Sequence, residues 1–154
     1  MKAAILALLF LFSAAANAQQ RAETFQSAAK SGLTVAVLDK QYANALDNDN
    51  SKSTFKGDDK QKFYQAYVSL LADLNVYLHA KKFTWDKPTR IVHRIYFEPD
   101  GKIDHYLLNL DATSMDPAKQ ARLLKLMNQF VTNYKFKITA GKKFAQCGPA
   151  IYQD

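Results

Sequence analysis

The chain has 154 residues, 21 Lys+Arg against 14 Asp+Glu, a formal net charge of +7, and 48% hydrophobic side chains. That is enough apolar sequence for one domain with a real core, and it excludes a disordered polyelectrolyte. The lone cysteine, Cys147, excludes an intrachain disulfide, and there is no Asn-x-Ser/Thr sequon. The basic excess is spread along the chain and reads as a solvated surface, with only non-specific attraction to anionic polymers, lipid or nucleic acid.

Residues 1–18 have the build of a secretory leader. Lys2 is followed by an apolar run from Ala3 to Phe12 and by Ala16-Asn17-Ala18 as an A-x-A cleavage site. Cleavage after Ala18 is expected to leave Gln19 at the new N-terminus. The run is too short to span a bilayer, and no cysteine near its end would accept a lipid. These features predict a bacterial periplasmic or secreted protein, not membrane-spanning once the leader is removed. Residues 19–154 are then expected to form a single domain.

Gln19 to Phe25 is polar and reads as a frayed end. In 33–46 the signals conflict. Leu33 to Leu38 could be a short buried strand, whereas Val35, Leu38, Tyr42 and Ala45 recur at helical spacing, which favours a helix. Asp47 to Asp58 reads as a loop. Asp59 to Ala80 is the clearest helix: Phe63, Ala66, Tyr67, Leu70, Leu71, Leu74, Tyr77 and Leu78 share a broad arc, and Asp58 or Asp59 is available as the cap. Residues 25–82 are thus expected to be mainly helical.

Arg90 to Leu110 reads as a β-hairpin turning at Glu98-Pro99-Asp100-Gly101. Regular alternation places Phe97 opposite Ile103, Ile95 opposite His105 and His93 opposite Leu107. It then gathers Ile91, His93, Ile95, Phe97, Ile103, His105 and Leu107 on one face. Asp116-Pro117 opens a helix to Tyr134, with Asp as N-cap and Pro at the first helical position. After Gly141-Lys142-Lys143 comes a closing strand over 143–152, in which Pro149 marks an edge or an end of the strand near Gly148.

Residues 88–153 hold a hairpin, a helix and a last strand, an order that resembles the TonB C-terminal domain. Ile95-Tyr96-Phe97-Glu98-Pro99-Asp100-Gly101-Lys102-Ile103 is similar to that family's strand–turn–strand. Met115-Asp116-Pro117-Ala118, with Leu123 and Met127, is similar to its helix. Tyr134-Lys135-Phe136-Lys137, Gly141-Lys142 and Gly148-Pro149-Ala150-Ile151-Tyr152 are similar to its helix exit, turn and last strand. The resemblance implies an α+β fold: a small antiparallel sheet of hairpin plus C-terminal strand, packed with helices and preceded by a helical extension. It also implies a periplasmic setting and a last strand able to pair with a segment of an outer-membrane transporter. The chain departs from the energy-coupling members in its cleavable leader and its lack of a proline-rich spacer. The resemblance brings no catalytic residues.

Candidate chemistry is sparse. His93 and His105, expected on one hairpin face, would need a third ligand to hold a metal, and Asp104 is expected on the other face; the pair reads as structural. Cys147 has no recognised motif around it and reads as a small, partly buried residue, with an intermolecular disulfide as the alternative. The 81–87 and 135–137 stretches, which alternate bases with aromatics, read as strands with one buried face. Glu98, Asp100 and Asp104 sit at a solvated turn, a poor place for paired catalytic carboxylates. No cofactor or metal is expected. The reading is a non-catalytic binding or interaction module of the cell envelope. Its candidate contact is the edge Phe144, Ala145, Gln146 and Cys147, pairing with an extended peptide, an envelope protein or another copy of this chain. A small secreted enzyme with an unrecognised site and an accessory subunit of an envelope transport complex are the alternatives.

Overall fold

The computed structural model describes residues 20–154; the leader-like segment and its cleavage site lie outside the described residues. The architecture is α+β, a five-stranded mixed sheet packed with four helices. In chain order the elements are β1 (Arg21–Thr24), α1 (Phe25–Lys30), α2 (Val35–Leu38), β2 (Ala43–Asn44), α3 (Asp58–Ala80), β3 (Thr89–Phe97), β4 (Ile103–Asn109), α4 (Pro117–Asn133) and β5 (Phe144–Tyr152). The spatial order is β1-β4-β3-β5-β2. The central three strands are antiparallel, as the hairpin and closing strand led one to expect. The two outer strands are parallel to their neighbours, so the sheet is larger than the small antiparallel one expected and is mixed.

The N-terminal third departs most from the sequence reading. Arg21–Thr24 is not frayed: it pairs with His105–Leu108, and Ala22 and Glu23 are buried. Thr24 ends that strand and caps α1, its side chain accepting from the Ser27 amide. Within 33–46 the helical reading holds only for its first turn, and the alternative strand over Leu33 to Leu38 does not form. Thr34 caps one helical turn over 35–38; the chain then straightens into β2 beside β5. The expected helix stops at Leu38, where Leu38 and Tyr42 are already anchored in a small core.

α3 and α4 run as expected, except that α3 starts on Gly57 without a side-chain cap, and Asp58 and Asp59 occupy its first turn. Asp116 caps α4, accepting from the Lys119 amide at 2.9 Å, and Pro117 begins it. Both helices cover one sheet face. Phe63, Leu70, Leu74 and Leu78 of α3 and Leu123, Met127 and Val131 of α4 meet Ile91, Ile95, Phe97, Ile103 and Leu108 there. The other face is covered only at one end, where Ala28, Leu38 and Tyr42 close over Tyr96, Leu107 and Ala145. The 81–87 stretch is a loop rather than a strand, although Phe83 and Trp85 are buried. Around 135–137 only Lys135 makes an isolated bridge, to Lys102.

The hairpin turn forms at Pro99-Asp100-Gly101, with Gly101 at φ +87°. The register beyond it differs from the alternation. Phe97 pairs with Ile103, but Tyr96 pairs with His105, so Asp104 is an extra residue in β4. This β-bulge shifts every later β4 side chain by one position. Tyr106 and Leu108 turn into the main core, while His105 and Leu107 turn to the small-helix face.

Candidate interaction edge and its charged base

β5 lies against β3 over its whole length, from Phe144 opposite Phe97 to Tyr152 opposite Thr89. Its even-numbered side chains include Phe144, Ala150 and Tyr152, which pack into the main core. Gly148 belongs to the same row because a Cβ there would stand 3.1 Å from the Tyr67 hydroxyl of α3. The odd-numbered row contains Ala145, in the small-helix core, and the exposed residues Cys147, Pro149 and Ile151.

The outer edge of β5 is closed only at its start. The Ala43 amide donates to the Lys143 carbonyl at 3.1 Å, and the Ala45 amide to the Ala145 carbonyl at 2.8 Å. Phe144 and Ala145 are therefore flanked by strands on both sides, which corrects the expectation of a free edge over 144–147. Gln146 and Cys147 lie beyond β2, as does the rest of the strand to Tyr152. In an antiparallel strand the backbone groups of alternate residues point to the same side. Since Lys143 and Ala145 point outward, so do Cys147, Pro149 and Ile151. Pro149 brings no amide hydrogen, and the Gln146 side chain donates to the Cys147 carbonyl at 2.9 Å. The open edge thus offers the amides of Cys147 and Ile151 and the carbonyls of Pro149 and Ile151. Cys147 itself is an exposed free thiol, not the partly buried residue expected.

The start of β5 carries a charged cluster built by the bulge. Asp104 is 3% exposed. It accepts a hydrogen bond from the Tyr42 hydroxyl, lies 3.6 Å from the Lys143 ammonium and lies 3.7 Å from His105 Nε2. Lys143 pairs at 2.6 Å with Glu98, at the hairpin turn. Burial works to raise the Asp104 carboxyl. The Tyr42 hydrogen bond, with His105 and Lys143, outweighs it and holds the group below the usual carboxylate range. Burial pushes the Tyr42 hydroxyl up, and its hydrogen bond to Asp104 adds to that. Asp104 Oδ1 is buried without a hydrogen-bond partner. Alongside, Asp39 accepts from the Arg94 guanidinium and from the Tyr96 hydroxyl at 3.1 Å. Tyr42 and Asp39 thereby tie the segment carrying β2 to the sheet.

The two histidines do not meet. His93 is buried on the helix-covered face, hydrogen-bonded to Tyr152 at 3.1 Å, whereas His105 packs edge-on to Tyr96 on the opposite face. Among the described residues no three His, Cys, Asp or Glu side chains converge in a way that could hold a metal ion. Glu98 and Asp104 do converge, but on Lys143 rather than across a cleft. A hollow of about 320 Å³ between the 85–89 loop and the start of α4 is crossed by the Lys119–Asp86 ion pair. The sequence reading identified β5 and its proline but missed β2, Tyr42 and the Glu98–Lys143 pair. These depend on contacts between residues far apart in the chain, with no local motif to mark them.

Comparison of the chain with protein-family models, curated proteins and solved structures finds no match.

Proposed function

We propose that this chain is a non-catalytic protein-interaction module of the bacterial cell envelope, binding an extended segment of a partner protein along β5 from Gln146 to Tyr152. One contrast carries the reading. The sheet edge at β1 and the first two residues of β5 are closed by the molecule itself, while the remaining seven residues of β5 have no strand on their outer side among the described residues. An added strand would take its register from the free groups at Cys147, Pro149 and Ile151, and Pro149 would reject partners that require a donor there. The leader-like segment 1–18 supports an envelope location, and the resemblance to the TonB C-terminal domain supports a strand-pairing mode. Among the described residues no helix is long and apolar enough to cross a membrane.

The test uses the single thiol. A benzophenone attached at Cys147 in intact cells of the source bacterium should crosslink one defined partner after illumination. Ile151→Pro, which removes an outward amide and no internal ladder bond, should then weaken binding of that partner at least tenfold, as judged by titration with the folded variant. Equal affinity for wild type and variant would refute the edge mode. Turnover of a small substrate lost on altering Asp104 or His105 would instead support the enzyme reading.

A further inference from the structure

We propose that the C-terminal end of α3 and the exposed side of α4 form a basic patch that docks this chain on an anionic phospholipid surface. The positive charge that reads as dispersed along the sequence is gathered here by the fold. α4 carries Lys119, Arg122 and Lys125 and no acidic residue, and the segment 74–85 carries Lys81 and Lys82 and no acidic residue. Arg122 joins the two: its guanidinium donates to the Lys81 carbonyl at 3.1 Å and to the Lys82 carbonyl at 2.9 Å. Lys125 follows Arg122 by three positions and is its neighbour on the helix surface. Lys81 Nζ stands 5.6 Å from the centre of the Tyr77 ring, and the Tyr77 hydroxyl donates to Gln129 of α4. Lys81, Lys82, Arg122 and Lys125 are all exposed, and among the described residues none of them is in an ion pair.

These charges are not needed to close the helix end. Lys82 has φ +57°, the left-handed conformation that glycine adopts without strain after a helix. A lysine there keeps a cation in place against a backbone penalty. Arg122 already satisfies the carbonyls that a basic side chain would cap, which leaves the Lys81 and Lys82 ammonium groups for another partner. The flanking acids in sequence do not neutralise them: Asp86 is paired with Lys119, and Asp73 accepts from the Tyr134 hydroxyl.

Charge and chemistry select the occupant. Four unpaired cations call for an anionic partner. Three of them are lysines, each a mobile point charge rather than the rigid bidentate fork of arginine, and the one arginine directs its donors to backbone carbonyls. Mobile point charges suit a surface whose own charges are mobile and closely spaced, as phospholipid headgroups are. Single-stranded nucleic acid needs aromatic faces on which its bases stack; Phe83 and Trp85, the aromatics of this stretch, are 1% and 3% exposed. Val76, 69% exposed near the same end of α3, adds the apolar contact that accompanies basic residues on an interfacial helix. α3 and α4 cover one sheet face, so a bilayer docked on them leaves Cys147, Pro149 and Ile151, on the other face, open.

The chain from Gln19 to Asp154, which keeps every described residue, should co-sediment at low salt with vesicles of mixed phosphatidylglycerol and phosphatidylcholine, and not with phosphatidylcholine alone. Salt at about 0.5 M should release it. Each basic residue near an anionic lipid surface strengthens association about fivefold. The triple variant Lys81→Gln, Lys82→Asn, Lys125→Gln should therefore bind about a hundredfold more weakly, with unchanged circular dichroism. Lys30→Gln, Lys40→Gln, Lys56→Gln, which removes the same charge elsewhere, should lose less than about tenfold. In a Cys147→Ser background, an environment-sensitive dye on Ala121→Cys of α4 should shift to the blue on the anionic vesicles, and one on Ala29→Cys of α1 should not. No binding to anionic vesicles would overturn the inference. So would equal losses in the two triple variants, a blue shift at position 29 as large as at 121, or tighter binding to a single-stranded oligonucleotide than to the vesicles.

Discussion

Asn128 closes the backbone of Ala22. Its side-chain amide donates to the Ala22 carbonyl at 2.8 Å, and its carbonyl oxygen accepts from the Ala22 amide at 3.0 Å. One α4 side chain thus supplies both hydrogen bonds that a further strand would make with the middle of β1. An edge closed in this way gives another chain no template there. Asn128→Ala should cost about 1–3 kcal/mol, because Ala22 is buried and its polar groups would lose both partners. Urea unfolding measures the loss, and hydrogen exchange should speed up at the Ala22 amide first.

The Tyr42–Asp104 bond holds the segment that carries β2. Tyr42→Phe removes the donor while keeping the ring, which packs on Tyr96 at a centroid distance of 4.9 Å. The expected cost is about 1–3 kcal/mol, since a second oxygen of a buried carboxylate loses its hydrogen-bond partner. Asp104→Asn should cost a similar amount, and the double variant less than the sum of the two. Strict additivity in that cycle would show the pair to be uncoupled.

Acid should destabilise the fold through His93. Burial lowers this imidazole from 6.5 to about 3. It is neutral in the folded chain, while the unfolded chain takes up a proton below pH 6.5. The contribution is therefore intact above 6.5 and lost progressively as pH falls toward 3, to a limit of about 5 kcal/mol. Asp104, held below the usual carboxylate range, loses its own contribution only at the lower end of this window and below. His93→Gln should flatten stability between pH 6.5 and 4.5. An unchanged slope in urea titrations at several pH values would show that another group governs the acid response.

Gly101 tolerates no side chain. It sits at φ +87°, and a Cβ would fall 2.4 Å from the Phe136 carbonyl oxygen. The same turn holds the chain after α4, because the Phe136 amide donates to the Gly101 carbonyl at 2.9 Å. Gly101→Ala should destabilise by about 1–3 kcal/mol. Thermal unfolding close to wild type would contradict this.

The legible parts of the fold carry local chemistry. Asp116-Pro117 marks the start of α4, the Pro-Asp-Gly turn marks the hairpin, and the long apolar arc marks α3. The bulge at Asp104 was illegible because Tyr106, Leu107 and Leu108 are all buried, the sheet being covered on both faces there. Alternation cannot choose between two registers when both faces accept apolar residues. That choice separated His93 from His105 and placed Asp104 beside Tyr42. β1 and β2 are four and two residues long, with no apolar pattern; only their distant neighbours make them strands. The candidate edge was half legible for the same reason: Pro149 is a local mark, while the cover over Phe144 and Ala145 comes from residues about a hundred positions earlier.

The two parallel pairings also bear on the order of assembly. The central hairpin joins near neighbours, whereas β1 pairs with residues more than eighty positions downstream and β2 with residues about a hundred downstream. Contacts of such long separation form late, because a large loop must close before any bond compensates. β1 and β2 are therefore the last strands to find their places. Until β5 exists, β2 has nothing to pair with, and the β4 edge stays bare until β1 arrives. A chain interrupted before Phe144 would leave the outer side of β3 bare and β2 without a neighbour, so both depend on β5.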